Sequence, residues 1–341
     1  MLKKNFLIAE ISSNHCGSFQ IAKRLIACAK KNGADAVKLQ TYTANTMTFN
    51  SKKNYFKIKH GLWKGKYLWD LYKSAHTPLD WHPKLFQYGK KIGIPVFSTP
   101  YDETAVDFLE KINCPIYKVA SFEMTDLSLI KRISLTKKPI IISTGMASLE
   151  EIKNSYNFAK KAGIKDITLL YCVSNYPSKI EDFNLHNIKI MKKQFDCRIG
   201  FSDHSKDNSI VAAAIAMGAE IVEKHIALDN QKKGLDVSFS LKGKEIKKYK
   251  NCMNKTFSIL GEDSFIRKKG EIENKVFRRS IFISSDIKKG EKFSKINLRK
   301  IRPGYGVDVK YYHRILNKKS SVSLKKDHPL KYKDVKKIIK L

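Results

Sequence analysis

Apolar runs of strand length recur along the first 228 residues, and most are followed by a segment with helical periodicity. The eight runs lie at residues 6–11, 36–40, 96–99, 116–121, 139–145, 167–172, 198–202 and 221–225. Strands that alternate with helices form parallel sheets, and eight such units predict a closed (β/α)₈ TIM barrel. A doubly wound sheet is the alternative, although no GxGxxG motif follows the first run.

The helices predicted between these runs have apolar residues on one face and lysines on the other. They are expected at 19–31, 83–91, 104–112, 127–134, 149–162, 185–194 and 209–217, with an eighth at about 244–259. Residues 1–260 are therefore predicted to form one barrel domain.

Two stretches break this alternation. Residues 45–77 form a long insertion after the second strand that carries several aromatic side chains. Long loops at a barrel mouth often carry function, but the insertion could equally pack as a flap over the barrel. Residues 261–278 are charged and predict a linker, and residues 279–341 predict a small β-rich domain. A domain of this size has a marginal core, so we expect it to dock on a partner surface.

The chain has a formal net charge of +34, which raises the possibility of nucleic-acid binding. Its lysines are spread in pairs over nearly every predicted helix, without an arginine-rich arm. This distribution favours a solvated lysine-rich surface and no nucleic-acid partner. The six cysteines show no CxxC spacing, and no run is long enough to span a membrane, so we expect a cytoplasmic protein with free thiols.

Polar residues at the carboxyl ends of barrel strands are the candidates for chemistry, because these ends share one rim. The candidates are Glu10, Lys38, Gln40, Thr99, Lys118, Ser121, Glu123, Ser143, Ser174, Tyr176, Ser202, Asp203, His204, His225 and Asp236. Lys38 and Lys118 lie within apolar strands, where an ammonium is costly unless it is paired. With the nearby hydroxyls they predict a phosphate or carboxylate site. Schiff-base chemistry at Lys118 is the alternative.

Two histidines at this rim, His204 and His225, end consecutive strands of one βαβ unit. Side chains at neighbouring strand ends can share one divalent metal, although two histidines without a fixed short spacing are also compatible with unrelated roles. Asp203 is a candidate for fixing the tautomer of the adjacent His204 imidazole. Glu123 is a candidate general base, or a solvated loop carboxylate.

Eight ordered segments resemble the sialic acid synthase family over essentially the whole chain. They are AEISSNHCGS at 9–18, VKLQT at 37–41, FSTP at 97–100, YKVASFE at 117–123, ISTGM at 142–146, FSDH at 201–204, VEKH at 222–225 and RPG at 302–304. Within that family, residues 56–63, 71–78 and 120–123 are most similar to the pseudaminic acid synthase subgroup.

The resemblance implies a TIM barrel followed by an antifreeze-like (SAF) domain in a domain-swapped homodimer. It implies condensation of phosphoenolpyruvate with an open-chain amino-sugar, with release of phosphate by C–O cleavage. The expected sugar is 2,4-diacetamido-2,4,6-trideoxy-altrose and the expected product pseudaminic acid. The alternative is an N-acetylneuraminate or legionaminate synthase that uses a mannose-type sugar.

The resemblance also implies a role for each matched residue. His204 and His225 would bind Mn²⁺ or Mg²⁺, which polarises the aldehyde. Lys38, Lys118, Ser121 and Ser143, with Thr99 nearby, would hold phosphoenolpyruvate, and Ser174 and Ser202 are further substrate-binding candidates at the rim. Glu123 would orient or deprotonate the attacking water. Glu10, Gln40, Tyr176 and Asp236 would contact the sugar, and Arg302 would reach its acetamido group from the partner subunit.

Overall fold

The computed structural model describes residues 2–339, and its first eight strands are parallel. They are β1 Phe6–Glu10, β2 Ala36–Thr41, β3 Val96–Pro100, β4 Tyr117–Val119, β5 Ile140–Ser143, β6 Ile167–Cys172, β7 Arg198–Asp203 and β8 Ile221–Ala227. Strand β1 pairs with both β2 and β8, so the sheet closes into a barrel. The predicted (β/α)₈ fold is confirmed, and the open doubly wound sheet is excluded.

Ten helices belong to this first unit of the chain as described. They are α1 Phe19–Lys31, α2 Ala44–Met47, α3 Leu68–Ala75, α4 Trp81–Ile92, α5 Glu103–Lys111, α6 Leu127–Ser134, α7 Leu149–Lys161, α8 His186–Gln194, α9 Asn208–Ala216 and α10 Lys244–Leu260. Side-chain caps set several of the starts: Ser18 accepts a hydrogen bond at α1, and Ser148 forms a capping box with Glu151 at α7. The eight predicted helices are present with ends shifted by at most two residues.

The barrel core explains why its strands are almost continuously apolar. Parallel strands are covered on both faces, by side chains inside the barrel and by helices outside it. Ile8, Phe97, Ile141, Leu169 and Phe201 are fully buried in one cluster that joins strands and helices. The polar residues within these strands, chiefly at their carboxyl ends, therefore stand out against an apolar background.

The insertion predicted at 45–77 contains α2, α3 and a 3₁₀ turn at Asn54–Phe56. Its tip is ordered by backbone hydrogen bonds: Ile58 N–H donates to the Lys66 carbonyl at 2.9 Å, and Gly65 N–H donates back to the Ile58 carbonyl at 2.8 Å. Lys57 and Tyr67 form an isolated antiparallel bridge just outside that pair. The insertion is thus a folded element with a hairpin-like tip.

The chain divides into two compact units, Met1–Gly261 and Glu262–Leu341. The second unit contains α11 Lys269–Glu273, the antiparallel pair β10 Ser280–Ile283 and β11 Leu298–Ile301, α12 Tyr312–Ile315 and α13 Tyr332–Ile339. Its own core includes Ile281, Phe293 and Ile315, which are fully buried. A short strand β9, Leu241–Lys242, pairs with β8 in the first unit.

Further 3₁₀ turns lie at Ser121–Glu123, Ile180–Asp182, Val237–Phe239, Asn274–Phe277 and Val309–Tyr311. Among residues 2–339, no helix combines the length and the apolar character needed to cross a bilayer.

Candidate active site

A cavity of about 630 Å³ opens at the carboxyl ends of the barrel strands. Most of the predicted site residues line it: Lys38, Gln40, Lys118, Ser121, Glu123, Ser143, Ser174, Tyr176, Ser202, His204, His225 and Asp236. Strand pairing places these residues side by side: Glu10 on β1 lies opposite Lys38 on β2 and opposite His225 on β8. Residues that are far apart in sequence therefore meet around one space.

Lys38 is held at the cavity wall by buried partners. Its ammonium forms an ion pair with Glu10 and donates to Thr99 Oγ1 at 3.1 Å. Burial opposes its charge, but the Glu10 and Glu223 carboxylates outweigh burial and raise the pKa of Lys38. Glu10 itself is fully buried behind Lys38, where it also accepts a hydrogen bond from Ser12 N–H at 2.5 Å. This geometry gives Glu10 a role in fixing Lys38, and its contact with a sugar stays a prediction.

Lys118, on β4, is the second lysine of the cavity wall and is also almost fully buried. Its ammonium donates to Ser143 Oγ at 2.6 Å and to the Val119 carbonyl at 3.2 Å. Burial lowers its pKa, although the Glu223 carboxylate opposes that shift. Its ion pair with Glu223 is long, at 3.9 Å between Nζ and Oε1, so an anionic ligand in the cavity would supply the closer charge-assisted hydrogen bonds that this ammonium lacks.

Glu223 is a site residue to which the sequence analysis assigned no role. It is almost fully buried on β8, and its Oε1 lies 3.8 Å from Lys38 Nζ and 3.9 Å from Lys118 Nζ. Ser202 Oγ donates to the same oxygen at 3.3 Å. Burial opposes its charge, but the two lysines outweigh burial and lower the pKa of Glu223. Glu223 thus sets the spacing of the two ammonium groups.

Replacing Glu223 with glutamine is expected to lower the free energy of unfolding by about 1–3 kcal/mol, because two buried ammonium groups lose a shared acceptor charge. Urea unfolding measures the change. Glu220→Gln is the matched control, since Glu220 pairs with the half-exposed Lys192 at 3.0 Å and a surface pair contributes at most about 1 kcal/mol. Equal destabilisation by the two changes would contradict this role for Glu223.

The two histidines predicted to bind metal face each other with ring centroids 5.5 Å apart. The Val173 carbonyl lies 3.0 Å from His204 Nδ1, and since a carbonyl can only accept, this nitrogen carries the proton and Nε2 keeps its lone pair. Burial lowers the pKa of His204 to about 4, and burial together with His204 lowers the pKa of His225 well below its usual value. Both imidazoles are therefore neutral at pH 7.

The donor set fits a divalent metal with open positions. His225 Nδ1 is buried and has no hydrogen-bond partner among residues 2–339, and Asp236 Oδ2 lies 3.6 Å from it. A neutral, unpartnered imidazole nitrogen is the usual ligand type for such ions. Within the same residues, no group of three or more His, Cys, Asp or Glu side chains is arranged around one ion site. His204 and His225 would therefore leave most coordination positions to water or substrate.

Glu123 lies on the 3₁₀ turn that follows β4 and lines the cavity. Burial raises its pKa to about 7, although the nearby Lys118 works in the opposite direction. Its Oε2 atom is buried without a hydrogen-bond partner in the described part of the chain. A carboxylate with a free acceptor atom and a pKa close to neutral is suited to take a proton from a water molecule.

Hydroxyl and amide groups complete the polar side of the cavity. Ser121 Oγ accepts a hydrogen bond from Gly145 N–H at 3.1 Å, and Ser174 is so close to this turn that a Cβ at Gly145 would lie 2.0 Å from Ser174 Oγ. A side chain at residue 145 would collide with these groups, so glycine is required there. Gln40 donates to Ser12 Oγ at 3.2 Å, and Ser12 Oγ donates to Asp236 at 2.5 Å.

The predicted contact of Asp203 with the His204 imidazole is wrong. The Asp203 carboxylate accepts hydrogen bonds from Tyr249 Oη at 2.6 Å and from Ser205 N–H at 2.8 Å, and it pairs with Lys224 Nζ at 3.2 Å. Successive strand residues point to opposite faces, so Asp203 at the end of β7 faces outward while His204 lines the cavity. The backbone carbonyl of Val173 orients His204 instead.

Arg302 belongs to the second unit, where it directly follows β11 and is exposed. Its predicted reach into the site of a partner subunit stays a prediction. Tyr176 lies within the first unit, where its ring packs against that of His204 with the centroids 4.4 Å apart and the planes inclined at 52°.

The comparisons with known proteins agree with this architecture. The sequence matches the NeuB family over residues 25–264 and the SAF domain over residues 278–336. The chain is 41% identical over 332 residues to pseudaminic acid synthase of Campylobacter jejuni, covering 97% of each protein. It is 36% identical over 330 residues to N,N'-diacetyllegionaminic acid synthase of the same species, covering 96% of this chain and 98% of that protein.

A solved structure extends the similarity to three dimensions. The N-acetylneuraminic acid (sialic acid) synthetase of Leptospira borgpetersenii superposes with a TM-score of 0.71 at 32% sequence identity, covering 79% of this chain and 89% of that one. Fold and site thus define a barrel enzyme of the sialic acid synthase type with a C-terminal SAF domain. The chain belongs to the NeuB family, and the family resemblance predicted from the sequence is confirmed.

Proposed function

We propose that this enzyme condenses phosphoenolpyruvate with 2,4-diacetamido-2,4,6-trideoxy-altrose, giving pseudaminic acid and phosphate, and that it depends on a divalent metal. The observation that carries the proposal is the whole-length similarity to a pseudaminic acid synthase. The cavity adds chemical support, since two lysines that suit an anion lie in the same space as two histidines that suit a metal. The proposed reaction uses both kinds of group.

Phosphoenolpyruvate is a trianion when fully ionised, and this chain offers it two ammonium groups and several hydroxyls. Lys38 and Lys118 both lie within 4 Å of Glu223, so they converge on one region of the cavity. Ser121, Ser143 and Ser202 line the same region. Charge-assisted hydrogen bonds from these groups would hold the carboxylate and the phosphate while leaving C3 free to react.

His204 and His225 are the residues that would hold Mn²⁺ or Mg²⁺, and such an ion acts as a Lewis acid on an aldehyde oxygen. The protein's own contribution is to keep both imidazoles neutral through burial and to orient His204 through the Val173 carbonyl. Tyr176, packed against His204, closes that side of the space.

The reaction balances with these groups. C3 of phosphoenolpyruvate forms a bond to C1 of the open-chain sugar, and the aldehyde oxygen takes up a proton to become a hydroxyl. C2 then becomes oxocarbenium-like, and a water molecule adds to it after giving a proton to Glu123. The C2–O bond to phosphate breaks, phosphate leaves with that oxygen and takes the remaining proton of the added water, and C2 becomes the ketone of the product. The proton on Glu123 returns to solvent and replaces the one that the aldehyde oxygen took up, so the added water supplies both protons.

The remaining elements of the proposal are the contacts to the sugar, the subunit arrangement and the cellular compartment. Gln40 and Asp236, joined through Ser12, would contact the sugar hydroxyls and amides. Arg302 would complete the site from the SAF domain of a partner subunit in a domain-swapped homodimer. The six free cysteines suit a reducing compartment such as the cytoplasm.

A coupled phosphate-release assay with three sugars tests the proposal. The panel contains the di-N-acetylated trideoxy-altrose and the mannose-type precursors of N-acetylneuraminate and of legionaminate, and the mass of each product is measured. We expect the altrose derivative to give the highest kcat/KM and a product of the mass of pseudaminic acid. A large preference for either mannose-type sugar would make this enzyme a neuraminate or legionaminate synthase instead.

A further inference from the structure

The cavity has two chemically different walls. The strand ends supply the lysines, carboxylates, histidines and hydroxyls described above. The insertion at 45–77 supplies a wall that is mostly apolar, formed by Met47, Ile58, Leu62, Trp63, Leu68 and Leu71, with His60 and Tyr72 as its polar members. An apolar wall of this extent facing a charged wall separates the cavity into a reacting side and a side suited to hydrocarbon groups.

We infer that the insertion at 45–77 is the specificity element of the enzyme, whose apolar wall selects a sugar with methyl groups at the end remote from its aldehyde. This inference rests on the proposed function and assigns the substrate class to a particular surface. The ligand is a 6-deoxy aldose with an acetamido group at C4.

The position of the wall relative to the reacting groups supports the inference. Trp63 packs against Tyr176 with ring centroids 6.1 Å apart, and Tyr176 in turn packs against His204 at 4.4 Å. The insertion is therefore separated from the candidate metal ligands by one aromatic ring. A sugar whose C1 lies at the histidines and lysines would extend its C4 to C6 end toward this wall.

The wall is fixed rather than loose. The hydrogen bonds between Ile58 and the backbone of Gly65 and Lys66 define the tip, and Leu71 on α3 is buried. Tyr72, also on α3, packs edge-on against Tyr42 with ring centroids 5.8 Å apart. A surface held in this way can discriminate by shape and polarity, because little of it can rearrange to suit a different ligand.

Trp63 adds a polar feature to the wall. Its indole Nε1 is buried and has no hydrogen-bond acceptor within residues 2–339. The indole N–H can only donate, and leaving it unmatched is unfavourable. The carbonyl oxygen of an acetamido group in the cavity is an acceptor of the type that this donor lacks, whereas a methyl group suits the leucines beside it.

The chemistry of the competing sugars makes the consequence measurable. The trideoxy sugar carries a methyl group at C5 and an acetamido group at C4, whereas N-acetylmannosamine carries a hydroxymethyl and a hydroxyl there. Hydroxyls placed against leucines lose hydrogen bonds to water without gaining partners. A difference of one such small group between two substrates in an apolar pocket changes kcat/KM by about 10–200-fold.

The test compares kcat/KM for the trideoxy sugar and for N-acetylmannosamine in the unaltered protein and in two variants. Leu62→Asn changes a residue that is 47% exposed, so the fold should tolerate it, and Leu68→Asn changes a more buried part of the wall. We expect the preference for the trideoxy sugar to fall about 10-fold or more in each variant. Leu79→Asn is the matched control, because Leu79 is 37% exposed and does not line the cavity.

The outcomes separate this inference from the proposed function. If the unaltered protein uses the trideoxy sugar but both wall variants lose activity toward the two sugars equally, only the inference fails. An unchanged preference in Leu62→Asn with an unchanged melting temperature would overturn it as well. If the unaltered protein prefers N-acetylmannosamine, or turns over neither sugar, the proposed function fails and the inference fails with it.

Discussion

Replacing His204 with glutamine is expected to lower the rate of phosphate release in the presence of both substrates by a factor on the order of 10³ or more. The reason is that a metal acting on an aldehyde contributes several kcal/mol to the transition state, and each 1.4 kcal/mol is about tenfold in rate. His225→Gln should have an equally large effect, since its unpartnered Nδ1 is the second candidate ligand. EDTA should inhibit the unaltered protein, and added Mn²⁺ or Mg²⁺ should restore it.

The control for this experiment is His186→Gln, an exposed histidine at the start of α8. It should retain full activity and the same response to EDTA. Binding of Mn²⁺, measured directly by electron paramagnetic resonance, should weaken in His204→Gln and stay unchanged in His186→Gln. Phosphate release that survives chelation would contradict a metal held by the two cavity histidines.

Glu123→Gln is the second change with a large expected effect, a loss of about 10²–10⁴-fold in kcat. Glutamine retains the shape and a hydrogen-bonding oxygen but cannot accept a proton from the attacking water. The affinity for phosphoenolpyruvate should change little, because the lysines and not Glu123 supply the positive charge. A loss confined to KM would contradict the assigned role.

The pH dependence gives an independent test of the same residue. Burial raises the pKa of Glu123 to about 7, and the base must be ionised to act. Activity should therefore fall as the pH drops below about 7, with one proton taken up, and should level off above it. The Asp126→Asn variant, which removes a nearby carboxylate that raises the pKa of Glu123, should shift this limb to lower pH. A flat profile between pH 5.5 and 8 would rule out Glu123 as the base, since the groups that titrate there would not include it.

The barrel and most of its functional rim could be predicted from the sequence because parallel strands are apolar on both faces. Against that background, Lys38 and Lys118 stand out, and strand ends of parallel units share one rim by topology. The same reasoning brought His204 and His225 together, and their rings are in fact 5.5 Å apart. The alternation of strands and helices is enough to predict that these four side chains share one rim, and the structure of the loops is not needed for it.

Two errors came from neglecting the twofold alternation along a strand. Glu223 lies two residues before His225 on β8 and so faces the same interior, a signal sufficient to place it beside the lysines. Asp203 precedes His204 by one residue and faces outward to Tyr249. The roles of Glu223 and Asp203 both depend on whether the side chain points into the barrel or out of it. The sequence indicates this direction only once the direction of another residue on the same strand is known.

Other features could not be predicted from local pattern. The insertion at 45–77 has aromatic residues without a clear period, and its wall depends on contacts such as that of Trp63 with Tyr176, far away in sequence. The depth of Glu10 behind Lys38 depends on how the side chains pack inside the closed barrel. Such tertiary contacts are not determined by spacing along the chain.

The most direct test of the central claim, that this cavity joins phosphoenolpyruvate to an amino-sugar through its C3, uses phosphoenolpyruvate labelled with oxygen-18 in the bridge between C2 and phosphorus. After turnover with the trideoxy sugar, mass spectrometry locates the label. The account predicts that the label leaves with phosphate and that the sugar acid contains oxygen from water at C2. Label retained in the sugar acid, or labelled phosphate formed without any sugar, would contradict it.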